Sequence, residues 1–585
     1  MIRLMLACCL ALWPAVAAAQ IDVAPREGRR ALALNLAVVS GWSTELPFID
    51  VMRNGTRWVG HLPDQWGGLD EDALFEAGVL DADGWPMGVP RNARRLSTSV
   101  LVDLPAEMTS TAGRWHATWE GSAYLGFSGA ARNVRFGDNA ASFDFEPGRG
   151  AVIIEFNRGS VRNLSVVHER HLEAYAAGEI FNPDFLARVG DVEQFRFMDW
   201  MRTNGSEVSQ WEERAQLGDY SYTRRGVPLE VLIRLANETG AEPWLTLPHL
   251  ADDAYVRQFA ELVRDSLDPE LRAWFELSNE MWNWGFRQAQ WAEAQAQARW
   301  GRDNAWVQFA AVRAAEVMRI IDAVYADDLS RRVRVLGLFT GWLGLENDML
   351  EAPDYMAEDE SHRPPHEFFD ALAVTAYFSG EMHSDDKREM IEGWLAQSRA
   401  EAQAQAEEQG LTGAASEAYL EAHRFDLAID LAGQELLDGG VSGDAENSVR
   451  DLIDRTLTHH AAIARAYDLA LVMYEGGTHV AVHPEDHQNE ELVAFFTALN
   501  YAPQMGDLYA ALIRGWRTLS DAPFTAYMDI GEPSRWGSWG HLRHLDDQNP
   551  RWDALMAATA PAAEAVDVEA EDAPVAADAQ EASDP

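Results

Sequence analysis

The run from Trp274 to Trp284, WFELSNEMWNW, sets an amide and a carboxyl side by side at the end of an apolar segment. Ala273 to Leu277 reads as a buried strand that delivers Ser278-Asn279-Glu280 into a space lined by Met281, Trp282 and Trp284. Desolvation among tryptophans favours the neutral form of a carboxyl, which suits a general acid. Indole faces also suit the C–H faces of sugars. Taken alone, the dipeptide is better explained by a solvated glutamate opening a helix beside core tryptophans. A second carboxylate shifts that balance. Leu469 to Tyr474, LALVMY, is another apolar strand, and it ends in Glu475-Gly476-Gly477-Thr478-His479. Glycines directly after an acid let backbone or ligand approach closely.

Eight apolar segments could position these groups: Ala31–Val39, Gln194–Trp200, Pro243–Leu247, Ala273–Leu277, Val333–Leu338, Ala371–Ala376, Leu469–Tyr474 and Phe524–Met528. Helical patterns intervene, including 305–326 and 490–499. Eight buried strands alternating with helices predict an α/β fold, a (β/α)8 barrel. The rival doubly wound sheet lacks support, because no Gly-rich phosphate loop follows any strand. Both glutamates fall at the C-terminal ends of strands, four and seven in this count, where such barrels place their chemistry.

The barrel is interrupted twice. Short alternating runs (Ser97–Leu104, Arg114–Glu120, Ser142–Phe145, Val152–Phe156), separated by Gly, Asn and Pro, predict a small antiparallel β-sandwich. Ala/Glu/Gln-rich helices over 385–408 and 413–438 predict a helical insertion before strand seven. We expect a signal peptide over 1–19, the start of the barrel over 20–80, the sandwich over 81–170 and the catalytic barrel over 171–550, with its helical insertion at about 385–440. A disordered acidic tail should occupy 561–585. The signal peptide reads from Arg3, the apolar core Leu4–Val16 and the Ala17-Ala18-Ala19 cleavage pattern, and predicts export to the periplasm or beyond.

Asn279-Glu280 after strand four and Glu475 after strand seven resemble clan A of the glycoside hydrolases, the retaining (β/α)8 families. That resemblance implies Glu280 as acid/base, Glu475 as nucleophile and Asn279 as a partner of the sugar 2-hydroxyl. It also implies that Tyr377 donates to the nucleophile, that His249 lies in the site after strand three, and that Trp536 or Trp539 forms the sugar platform. Trp282 is a further expected sugar contact. For the arginine that many members carry after strand two we place Arg202, with Arg196 and Asp199 as the alternatives in QFRFMDWMRTN.

Composition narrows the partners. The 585 residues carry 22 Trp against 14 Tyr, several beside Asn, Asp, Gly or Glu (Trp42, Trp200, Trp211, Trp282, Trp536, Trp539), a pattern suited to a carbohydrate groove. A formal net charge of −47 disfavours nucleic acid and anionic membranes as partners. Both cysteines, Cys8 and Cys9, lie in the signal segment, so the mature chain has no thiol chemistry. His459-His460 has no carboxylate at ligand spacing and reads as packing, and His541 and His544 lack the Glu of a zinc-protease motif. Neither metal nor cofactor is expected. Asp252-Asp253 reads as a helix start. The predicted function is an exported retaining glycoside hydrolase acting on a β-linked polysaccharide or oligosaccharide. The alternative is a non-catalytic carbohydrate-binding protein on the same barrel.

Overall fold

The computed structural model describes residues 21–561. The expected signal peptide, and all but the first residue of the expected tail, lie outside the described residues. Eight strands form one sheet: β1 (Arg30–Asn35), β2 (Val192–Arg196), β3 (Glu242–Leu247), β4 (Ala273–Leu277), β5 (Arg332–Gly337), β6 (Ala371–Phe378), β7 (Ala470–Thr478) and β8 (Phe524–Ala526). Their order is β7-β6-β5-β4-β3-β2-β1-β8. Every hydrogen-bonded pair in it is parallel. The outer strands of this series meet where Tyr527 donates its N–H to Gly476 O at 3.1 Å and the Thr525 hydroxyl donates to Met473 O. The sheet is thus a nearly closed parallel barrel.

These segments become strands because both of their faces are covered, which demands near-continuous apolar sequence. β3, β4 and β7 are buried at every position. The intervening helices cover the outside. Helix Asp253–Ser266 starts where the Asp252 side chain accepts the Tyr255 N–H, and it buries Tyr255, Val256, Phe259, Ala260 and Val263 on one stripe. Full burial of an aromatic or branched side chain there stabilises by about 1.5–3 kcal/mol. Because all eight strands run the same way, the loops after them gather at one end of the barrel.

Two antiparallel sheets are inserted between β1 and β2. The four-stranded sheet runs Val161–His168, Gly113–Gly121, Ala140–Phe145, Arg132–Gly137, and the five-stranded sheet runs Gly68–Leu69, Val59–His61, Arg95–Val100, Val152–Phe156, Gly126–Gly129. Phe127 of the second sheet stacks on Phe143 of the first at 5.5 Å, so the alternating buried residues of both meet in one core. The run expected over Ser97–Leu104 stops at Val100. Leu101 and Asp103 both adopt φ near +51°, which turns the chain out of the sheet.

Between β6 and β7 lie helices Asp385–Glu408, Ala414–His423 and Asp426–Asp438. The single helix expected over 413–438 is two, broken where Phe425 turns inward to pack on Phe495 at 5.6 Å. A buried Lys387–Glu435 ion pair of 2.6 Å ties the first of these helices to the third. A π-helical turn, Leu452–Leu457, and helix Thr458–Ala466 then lead into β7.

Candidate active site

β4 and β7 end on the same face of the barrel and carry Glu280 and Glu475 to it. After β4 the chain departs from strand geometry abruptly. Ser278 and Glu280 have φ of 59° and 42°, the left-handed region that side chains disfavour. Such residues cost of order 1–3 kcal/mol each and persist where their surroundings fix them. Here the Ser278 N–H donates to Leu247 O at 2.7 Å, and the Asn283 N–H donates to Glu280 O at 2.8 Å. Asn279, between them, is pinned by Gln288, which donates to its carbonyl at 2.8 Å, and by its own donation to Asn204 at 3.1 Å.

β7 makes its own departure. Val374 pairs with Met473 but Thr375 pairs with Glu475, so Tyr474 is the extra residue of a β-bulge. Bulges re-aim side chains beside functional sites. Both Tyr474 and Glu475 therefore reach the same cluster, although they are consecutive. Gly476 and Gly477 follow. Gly477 has φ of 134°, and a Cβ there would collide with the Tyr509 hydroxyl, so this corner requires glycine.

Arg196, the last residue of β2, is the hub of the cluster. Its Nη1 donates to Glu475 Oε1 at 2.8 Å and to Asn35 Oδ1 at 3.1 Å. Its Nη2 donates to Asn279 Oδ1 at 2.8 Å and to Glu276 Oε2 at 3.0 Å. Trp244 donates to the same Glu276 oxygen at 2.9 Å. Tyr377 donates to the other oxygen of Glu475 at 3.0 Å. Glu280 is held by neutral donors, Tyr474 at 3.2 Å and Asn283 at 2.8 Å.

The electrostatics follow from burial. Desolvation pushes Glu475 up to about 8 against the pull of Arg196, and the neighbouring Glu280 charge adds to the rise. Desolvation also raises Glu280, opposed by its bonds from Asn283 and Tyr474. Glu276 rises by burial against the same arginine. Burial works against the Arg196 charge, but Glu276 and Glu475 outweigh it and hold the guanidinium ionised. One cation thus bonds to two buried carboxyls with the half-buried Glu280 beside them, so the cluster retains at least one proton at neutral pH. A coupled pair of this kind can give a proton from one member while the other carries the charge.

Of the three strand-two candidates, Arg196 is the one whose guanidinium bonds to Glu475. Arg202 instead donates to Val39 O at 3.3 Å and lines a separate cavity with Arg57 and Tyr255. Asp199 is half-buried, desolvation pushes it up to about 6, and it takes a bond from Tyr527. Tyr527, which follows β8 and which sequence reasoning passed over, has its ring 6.2 Å from that of Tyr377. Trp539 stands 6.4 Å from the Tyr377 ring and 5.1 Å from His479. Trp536 lies outward, against His487 at 4.4 Å. His249 packs on Trp291 at 5.4 Å, and burial alone lowers it to about 4. It shares no bond with either glutamate among the described residues. Trp282 lies flat on Phe339 at 4.1 Å.

Two members of the cluster had a readable signal. Glu276 is a charge in the middle of an apolar strand, and Asn35 a polar residue at the end of another, each of which demands a buried partner. Tyr474 had none, since the bulge that turns it inward leaves no mark in LALVMY.

No protein-family model matches this chain, and no curated protein matches it. Among solved structures, the chain is similar to the CBM22-1–GH10 modules of the Clostridium thermocellum N-terminal endo-1,4-β-D-xylanase 10B, complexed with xylohexaose. The similarity covers 83% of this chain and 98% of that chain, at 8% identity and a TM-score of 0.32. A likeness that faint carries no weight here, and the functional reading rests on the geometry of the Glu280–Glu475 cluster.

Proposed function

We propose that the protein is an exported retaining glycoside hydrolase that cleaves β-linked polysaccharide or oligosaccharide. The observation that carries this reading is the pairing of Glu280 and Glu475 at the ends of β4 and β7, with the cationic Arg196 donating to Glu475 and only neutral donors on Glu280. A retaining mechanism needs one ionised and one protonated carboxyl about 5–5.5 Å apart. In the reactive form the shared proton sits on Glu280, because, of these two acids, only Glu475 takes hydrogen bonds from Arg196 and Tyr377, which favour its anion.

Glu475 then attacks the anomeric carbon while Glu280 gives its proton to the departing glycosidic oxygen. The C–O bond to the leaving group breaks and an ester to Glu475 forms. Glu280, now ionised, takes a proton from water, whose oxygen displaces Glu475 and releases the sugar. Asn279, whose Oδ1 is held by Arg196 and whose Nδ2 gives one hydrogen to Asn204, keeps its second amide hydrogen for the hydroxyl next to the reacting carbon.

Exposed tryptophans support a polymeric substrate. Trp42, Trp284, Trp342 and Trp536 follow β1, β4, β5 and β8 and are 69%, 55%, 54% and 61% exposed. All four belong to the face that carries the glutamates. Large solvent-facing indoles are unusual on a folded surface and provide stacking surfaces for sugar rings.

The test is a screen of the mature protein against plant, algal and bacterial glycans, followed by Glu475→Ala on whichever substrate is cut. Turnover should vanish without loss of fold, and azide should restore part of it as a glycosyl azide. Binding with no cleavage by the wild type across the panel would favour a carbohydrate-binding protein instead.

A further inference from the structure

Outside the glutamate cluster, Glu346, His459 and His460 converge, with one ligand atom from each within 4.8 Å of the others. Glu346 lies in helix Leu345–Glu351, directly after β5. The histidines lie at the start of helix Thr458–Ala466, directly before β7. The π-turn Leu452–Leu457 feeds this helix, and such turns are frequent at functional sites. The carboxylate that sequence spacing failed to supply thus comes from a distant helix.

The bonding around the three side chains suits a cation better than simple packing. His460 is fully buried, and its Nε2 lies 3.0 Å from the Thr340 carbonyl oxygen. A carbonyl only accepts, so Nε2 carries the hydrogen and Nδ1 presents a bare lone pair. That Nδ1 is buried and has no hydrogen-bond partner. Metal-ligating histidines are commonly arranged in this way, with the far N–H given to a backbone carbonyl. Glu346 Oε1 lies 2.6 Å from His459 Nε2, and Oε2 accepts the Gly344 N–H at 2.7 Å. The carboxylate is therefore oriented before any ion arrives.

We propose that Glu346, His459 and His460 bind one divalent transition-metal ion, with Zn2+ the best fit. Two imidazoles and one carboxylate, with no thiolate, match zinc and its neighbours better than the oxygen-seeking Mg2+ or Ca2+. Ligand atoms around tetrahedral zinc stand about 3.3 Å apart for bonds of about 2.0–2.1 Å. The half-exposed His459 closes the difference by a side-chain rotation, its Nε2 hydrogen passing to Nδ1 through solvent as the ion takes the place between Nε2 and Glu346. The ion ties the segment after β5 to the helix before β7. That segment carries Phe339, the residue stacked on Trp282, and Leu338, whose carbonyl takes a 3.4 Å contact from the Tyr474 hydroxyl. The proposal does not depend on the hydrolase reading.

The experiment uses the full mature chain, stripped with chelator and titrated with Zn2+ alone at high ionic strength, which suppresses loose binding to the acidic surface. Calorimetry should give one tight equivalent per chain, and Co2+ in its place should give a tetrahedral visible spectrum. His459→Ala and Glu346→Gln, each checked for fold by circular dichroism, should weaken Zn2+ binding by at least about tenfold. His459 is half-exposed, so its variant tests the site without emptying the core. Absence of a tight equivalent, or one that persists unchanged in both folded variants, overturns the proposal.

Discussion

Nη1 of Arg196 lies 2.8 Å from Oε1 of Glu475, with the arginine side chain wholly withdrawn from solvent and the carboxyl nearly so. The same guanidinium holds Glu276 at 3.0 Å, so one cation neutralises charge for two strands. Arg196→Met leaves both acids without a cation, and breaking a buried pair from one side costs about 3–5 kcal/mol. Urea unfolding at pH 7.5 should show that loss. At pH 4.5 the loss should shrink, because the stranded carboxyls are then protonated. An equal loss at both pH values would mean that packing, and not charge, is what Arg196 supplies.

The pH dependence of kcat/KM follows from the same cluster. Activity requires a single proton on the Glu280–Glu475 pair. Burial raises both groups, so the acid limb should lie above the ordinary glutamate value of about 4.3. The pair keeps its last proton up to about pH 8, and the basic limb should fall there. Removing the Arg196 cation disfavours the Glu475 anion and moves the acid limb to higher pH. An acid limb unmoved in Arg196→Lys and lowered in Arg196→Met would contradict the assignment of the charge to Glu475.

Glu280→Ala separates the two glutamates by leaving group. Loss of the proton donor should slow natural glycosides by about 10^2–10^4-fold, the usual worth of a positioned acid or base. Glycosides with strongly acidic leaving phenols need no proton, so their glycosylation step should be nearly unaffected. Equal slowing of both substrate types would argue against Glu280 as the acid.

Trp282 and Phe339 stack at 4.1 Å with their rings within 4° of parallel. Trp282→Ala removes an aromatic contact worth about 0.5–1.5 kcal/mol. KM for polymer should rise a few-fold to roughly tenfold, with kcat on a small aryl glycoside little changed. A fall in kcat on both would instead make Trp282 a support for the β4 turn.

The eight strands were legible because a strand covered on both faces leaves a largely apolar run, even where one charge such as Glu276 falls inside it. The two glutamates were legible because each ends such a run. The identity of the arginine was not. QFRFMDWMRTN contains two, and only the end of β2 at Arg196 decides which one points at the acids. The sandwich was visible by its alternation, whereas the break at Arg424-Phe425 was not, because that sequence stays helical in pattern and the turn comes from packing against Phe495. The Glu346 carboxylate beside His459 was equally hidden, since it depends on the fold to bring two distant helices together.

A further stability effect should come from acids outside the Glu280–Glu475 pair. Asp529, which accepts the Ala37 N–H at 2.8 Å, is buried beside Glu45. Burial pushes Asp529 up to about 7, and burial together with the Asp529 charge raises Glu45. Between the unfolded value of about 3.9 and the folded value, the folded chain holds a proton that the unfolded chain has released. Stability therefore falls as pH rises through that window. Asp529→Asn keeps the acceptor for Ala37 and should stabilise the protein at pH 8 by on the order of 2–4 kcal/mol, with little effect at pH 4. Thermal unfolding at the two pH values checks the difference.

The placement of β1 has a consequence in time. Its two sheet neighbours are β2, which follows the whole inserted sandwich, and β8, the last strand of the barrel. During synthesis β1 emerges first among the barrel strands, and the backbone groups of one of its edges stay unpaired until Phe524–Ala526 has left the ribosome. Closing so long a loop is slow, and an unpaired strand is prone to wrong partners while it waits. The sandwich, whose strands pair within a short stretch of chain, can fold long before that. A rearranged chain in which β1 is made directly after β8 would shorten the wait at one edge of the strand and should refold with less aggregation.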